Sequence, residues 1–142
     1  MRTRVFTQQA ISLLFIGAAA VADYRPATRA DHKIKKDQSS LQIELERTRD
    51  IVSEVAMSYP DLYVVGFAAE TRDVEHYARD KLQRKKLRAI VANDVSRSDI
   101  GFNSDNNEAL WITHNASHNF GKRSKNQLAR DIVSAIATDT GH

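Results

Sequence analysis

Apolar residues along this chain fall into short unbroken runs separated by amphipathic stretches, and that alternation predicts an α/β fold. Leu13 to Ala19 is apolar at every position, as expected of a strand covered by helices on both faces. Tyr24 to Ser40 is polar, carries both signs of charge and contains Pro26, so it reads as a long loop. Leu41-Gln42-Ile43-Glu44-Leu45 alternates apolar and polar, the period of a half-exposed strand. Thr48 is placed to cap a helix from about Asp50 to Met57, whose stripe would be Ile51, Val52, Val55 and Ala56, with Pro60 ending it.

Leu62 to Ala69 is a second buried-strand candidate. Thr71 then opens a charged helix, about Val74 to Lys86, with Val74, Tyr77, Ala78, Lys81 and Leu82 on one stripe. Ala89 to Ala92 predicts a third strand ending at Asn93-Asp94, and Gly101 to Asn107 reads as a loop. Leu110 to Thr113 and the segment after Ser117 form a candidate hairpin. Ser124 is placed to cap a last helix to about Ala137, with Leu128, Ile132, Val133 and Ile136 facing inward. Strand and helix in alternation imply a parallel sheet with right-handed crossovers.

Composition narrows the classes. The chain has 142 residues, the size of one domain, with 42% hydrophobic and 27% charged residues. A formal charge of +3 is too small and too scattered to argue for nucleic acid. With no cysteine, disulfides, thiol catalysis and thiolate-ligated zinc are excluded. No apolar stretch reaches the ~20 residues that a membrane-spanning helix needs. The N-terminus has a second form: a basic start, an apolar run and Ala20-Val21-Ala22 ahead of Asp23 match a secretory signal peptide. The residues that follow favour the strand.

In an open α/β sheet, ligands bind beyond the carboxyl ends of the strands. Three apolar runs here turn abruptly polar at small residues: Ala19 to Arg25, Gly66 to Thr71, and Ala92-Asn93-Asp94. Lys33 and Lys35 share one side of an extended segment, and Lys81 and Lys85 share one helix face. Lysine supplies the mobile positive charge that a polyphosphate needs, although a solvated basic face has the same pattern. His114 and His118 bracket Asn115-Ala116-Ser117, which reads as a turn, so their spacing does not argue for a metal.

The ordered set GAAAVADYRPA, KIKK, TRDIV, VVGFAAET, YARDKLQRKKLRAIVANDVS, GFNSDNN and SKNQLARDI resembles the phosphopantothenate–cysteine ligase domain of bacterial coenzyme A bifunctional flavoproteins. The resemblance runs from about Phe15 to Ile136. It implies a Rossmann-like three-layer fold with a mostly parallel sheet and a C-terminal hairpin plus helix. It also implies a cytoplasmic, dimeric ligase that joins phosphopantothenate to cysteine with CTP and Mg²⁺, through an acyl-cytidylate, and that holds no flavin in this chain.

By matching position, Asp23, Lys33, Arg49, Asp50, Ile51, Val52, Phe67, Lys81 and Lys85 correspond to nucleotide contacts. Lys33 is the candidate catalytic residue on a flap, and Ala19 and Ala20 match the substrate pocket. Arg49 departs from the pattern, where proline is common. The family's glycine-rich opening unit finds no counterpart before Phe15. The chain is therefore expected to carry only the C-terminal part of the domain, as residues 13–138, between an unmatched segment 1–12 and a tail 139–142. The alternative to a ligase is a nucleotide-binding or dimerisation module without turnover.

Overall fold

The computed structural model describes residues 14–19, 21–32, 40–96 and 106–141, except for the side chains of 106 and 107. These fall into two units, a larger one of residues up to Ala18 together with Val52 onward, and a smaller one, Ala19–Ile51.

The larger unit is built on five strands: β1 (Leu14–Gly17), β4 (Tyr63–Glu70), β5 (Ala89–Asp94), β6 (Asn106–Thr113) and β7 (Ser117–Ser124), adjacent in that order. β1, β4 and β5 are parallel, and β6 and β7 are the antiparallel hairpin. Alternation along each strand sends side chains to two faces. Val64, Ala68, Ile90, Ala92 and Ile112 face a core shared with α1 (Ile51–Ser58) and α2 (Val74–Arg84). Val65, Ala89, Val91, Ala109 and Trp111 face α3 (Lys125–Thr140). The result is a three-layer α/β arrangement. The β4–α2–β5 crossover is short, whereas the connection from β1 to its parallel neighbour β4 includes β2, β3 and α1.

β1 departs from the expected burial. Leu14 and Ile16 are 41% and 38% exposed, because β1 is the first strand in the sheet order and only its Phe15 face packs on the core. Gly17 is required there: a Cβ would stand 2.7 Å from Val52 Cγ2, so the small residue lets α1 approach. Other boundaries moved for physical reasons. α2 begins after Asp73, which adopts a left-handed conformation (φ 44°) and makes no side-chain cap, so Thr71 is not the cap. Asn106 and Asn107, expected in a loop, begin β6 by pairing with Ser124 and Arg123. The rest of that expected loop, 101–105, lies outside the described residues. Ser124 does cap α3, its hydroxyl accepting from the Gln127 N–H at 3.2 Å. The helix continues past Ala137 to Gly141, whose positive φ closes it. Val133 is 60% exposed rather than inward, since Leu128, Ile132 and Ile136 complete the buried stripe without it.

At the other end of α3, Tyr63 donates its hydroxyl to Asp139. Burial first, then this hydrogen bond, pushes the phenol above its usual value of 10.0. A raised acid pKa means that the folded state keeps the proton longer than the unfolded chain. The resulting stability is present below about pH 10 and is lost as pH rises beyond it. Denaturant titrations between about pH 8 and 11 are expected to show a fall in stability above pH 10 that is reduced in Tyr63→Phe. An identical alkaline limb in both proteins would remove Tyr63 from the account.

The smaller unit holds a two-stranded antiparallel sheet, β2 (Tyr24–Pro26) with β3 (Leu45–Arg47). The expected strand at Leu41 thus starts later, and part of the expected loop is a strand. Arg25 and Glu46, paired across the strands, form an ion pair at 2.7 Å. Thr48 does not cap α1. Its hydroxyl donates to the Ala22 carbonyl and its N–H to the Asp23 carbonyl, which extends the ladder instead.

Candidate functional site

The parallel registers Gly17↔Gly66, Ala69↔Asn93 and Glu70↔Asp94 bring the carboxyl ends of β1, β4 and β5 to one side of the sheet. Two of the segments picked out by their small-to-polar transition, Gly66 to Thr71 and Ala92-Asn93-Asp94, therefore lie at that side. This is where a parallel sheet offers room for a ligand.

Two features stand out at the β4–β5 ends, on opposite faces. On the α3 face, Phe67 is 38% exposed, and Asn93 follows Val91 two residues on. Asn93 Oδ1 is buried with no hydrogen-bond partner. Its neighbours across the strands are Ala69 and Ala109, both small. Phe67, in register with Val91, is its diagonal neighbour on that face. An aromatic ring beside a buried unsatisfied acceptor, over alanines, suits a flat ring bearing an N–H donor, because an unmade buried hydrogen bond costs ~1–3 kcal/mol.

On the α2 face, Lys81 Nζ lies 2.6 Å from Glu70 Oε1. Lys85 stands one turn further along, its N–H bonded to the Lys81 carbonyl at 3.0 Å as the helix ends. The helix thus presents both lysines on one face, as their spacing predicted. Phe67 and Lys81, grouped together by the resemblance, lie on different faces of β4, since odd positions face α3 and even positions face α2.

The remaining sequence-derived residues distribute as follows. Asp23, Arg49, Asp50, Ile51 and Ala19 belong to the smaller unit. Val52 belongs to the larger and packs, partly buried, against the α1–α2 core. Lys33 and Ala20 lie outside the described residues. Two residues were missed. Glu70 shows no short-range signal toward Lys81, eleven positions away. Asn93 was visible only as a polar residue closing an apolar run. His114, one of the tempting pair, bonds the Leu87 carbonyl through Nε2 at 3.0 Å, and His118 packs edge-on against Phe120. Among the described residues, no three His, Asp or Glu side chains converge as metal ligands, and no helix is long and apolar enough to cross a membrane.

Three layers of this kind around a set of parallel strands define a Rossmann-like α/β protein. The chain aligns with a crystal structure of the C-terminal domain of coenzyme A biosynthesis bifunctional protein CoaBC at a TM-score of 0.69 and 32% identity, over 90% of this chain and 55% of that one. A DNA/pantothenate metabolism flavoprotein from Streptococcus pneumoniae shares the fold at a TM-score of 0.69 and 21% identity, over 89% and 63%.

The chain belongs to the DNA/pantothenate metabolism flavoprotein C-terminal domain family, whose model matches residues 1–140 and so includes the first twelve. It is 45% identical over 139 residues to the coenzyme A biosynthesis bifunctional protein CoaBC of Vibrio cholerae, covering 96% of this chain and 35% of that protein. It is 56% identical over 98 residues to the Escherichia coli protein of that name, covering 66% and 24%. The chain thus spans about a third or less of the length of these curated relatives.

Proposed function

We propose that this chain supplies the nucleotide-binding half of a phosphopantothenate–cysteine ligase site and takes CTP as its nucleotide. A carboxylate is a poor acyl donor; transfer of a cytidylyl group to it releases pyrophosphate and leaves CMP as the group that the cysteine amine displaces. Catalysis in such a reaction is mainly positioning and charge compensation on the triphosphate. Lys81 and Lys85 are assigned to the phosphates, with Lys33 as the third lysine and the catalytic one. Asp23 and the Arg49–Val52 segment are further nucleotide contacts, and Ala19 and Ala20 belong to the phosphopantothenate pocket. Mg²⁺ binds best through phosphate oxygens plus one or two carboxylates. Glu70 is committed to Lys81, and Asp94 Oδ1 accepts from both the N–H and the hydroxyl of Ser96. This fits an ion that arrives on the triphosphate, where it would offset charge.

The observation that carries the reading is the buried, unpartnered Asn93 Oδ1 beside Phe67. An orphan acceptor favours a base with an exocyclic amine: cytosine offers one where uracil has a carbonyl. Calorimetric titration with Mg–CTP and Mg–UTP is expected to show ~10–100-fold preference for CTP, the usual effect of leaving one buried polar group unpaired. Asn93→Ala is expected to erase the preference by weakening CTP while sparing UTP. Equal binding of both nucleotides by the wild-type chain would remove the base-site assignment, and no binding by folded chain would remove the nucleotide reading.

A further inference from the structure

We infer that Glu70 is a positioning residue, holding the Lys81 ammonium at the carboxyl end of β4 with its other donors left for phosphate. This rests on the nucleotide reading above. Lysine is a point charge on a flexible stem, and a bare one is poorly placed to meet a phosphate. Two further ion pairs of α2 stay within the helix, Arg79 with Glu75 and Arg84 with Asp80, each four residues apart. Lys81 instead leaves the helix and reaches the last residue of β4, where Glu70 Oε1 accepts at 2.6 Å.

Exposure separates the two partners. The Glu70 side chain is 14% exposed and that of Lys81 34%, so the carboxylate is the buried anchor and the ammonium the accessible end. An ammonium has three donors, and one bond to Glu70 leaves two. The Glu70 backbone is itself fixed, as its carbonyl accepts from the Val95 N–H at 2.9 Å and its Cα pairs with that of Asp94. Like charges in register on neighbouring strands repel. Asp94 turns an oxygen to Ser96 and Glu70 turns one to Lys81, so each carboxylate has its own donor. A site tuned only for affinity would not set a carboxylate beside its phosphate lysine. The pair trades net charge for a fixed direction, which is how a supporting shell serves a site.

The test is Mg–CTP titration of the chain with Glu70→Ala and Glu70→Gln, alongside nuclear magnetic resonance of the Lys81 side chain. Glu70→Ala is expected to weaken binding ~10-fold and give Lys81 the signal of a freely rotating lysine. Glu70→Gln keeps an acceptor in place and is expected to bind within ~3-fold of wild type, a rescue that loss of charge alone would not produce. Tighter or unchanged binding in Glu70→Ala would overturn the positioning role, as would a Glu70→Gln variant no better than the alanine. A wild-type chain whose Lys81 is restrained but which binds no nucleotide would fail the nucleotide reading and this role with it. Binding with Lys81 unrestrained would fail this role alone.

Discussion

Ile112→Ala is expected to lower the unfolding free energy by about 3–4 kcal/mol, seen as a shifted urea midpoint with an unchanged slope. Ile112 is fully buried in β6, where the sheet turns from parallel to antiparallel; its register partner Ile90 is 2% exposed. It packs in the cluster that joins Leu82 and Leu87 of the α2 layer to Val64 and Ala92 of the sheet. Strands on both sides and a helix above leave little freedom for the neighbours to collapse into the space of three lost carbons, so the cavity cost adds to the transfer cost. Val133→Ala, also apolar but 60% exposed, is expected to change stability by less than ~0.5 kcal/mol. Comparable losses in the two variants would mean that α3 buries more than its Leu128–Ile132–Ile136 stripe.

That contrast marks what could be read from residue pattern. Continuous apolar runs located β4 and β5, as expected of strands covered on both faces, and located β1 although only one of its faces is covered. Periodicity likewise located the α2 stripe, and Ser124 its cap on α3. The pattern was blind where pairing partners decide the outcome. Leu41 to Leu45 alternates like a strand, yet β3 begins only at Leu45, because Arg25, Glu46 and Thr48 provide cross-strand bonds that Leu41 and Ile43 cannot. Leu14 and Ile16 look like core from composition, and their exposure follows from sheet order, which no local window contains. The site divides the same way. The basic residues of α2 were legible as helix spacing. The Glu70–Lys81 contact depends on how far the crossover helix reaches over its strand, and the unsatisfied Asn93 Oδ1 on what packs over the opposite face, both tertiary quantities.

Lys81→Ala is expected to do two separable things, and the separation is the reason to make it. It removes the cation from a carboxylate that is only 14% exposed. Breaking a buried pair from one side leaves a charge without compensation, at a cost of ~3–5 kcal/mol when both groups are buried. Lys81 is a third exposed and water reaches it, so a loss of about 1–2 kcal/mol is the appropriate expectation. Lys81→Met keeps the apolar stem on the helix face and is expected to lose less stability while losing the same charge. Both variants are expected to weaken Mg–CTP ~10–100-fold, the effect of losing one charge-assisted contact, and to flatten the dependence of binding on salt. Lys85→Ala is the companion: four residues along, at the helix end, it is expected to weaken binding with little change in stability. If Lys81→Ala alters stability and leaves nucleotide affinity intact, the pair with Glu70 is a strut between helix and sheet. If affinity falls equally in the alanine and methionine variants while their stabilities differ, the ammonium itself is what the nucleotide meets.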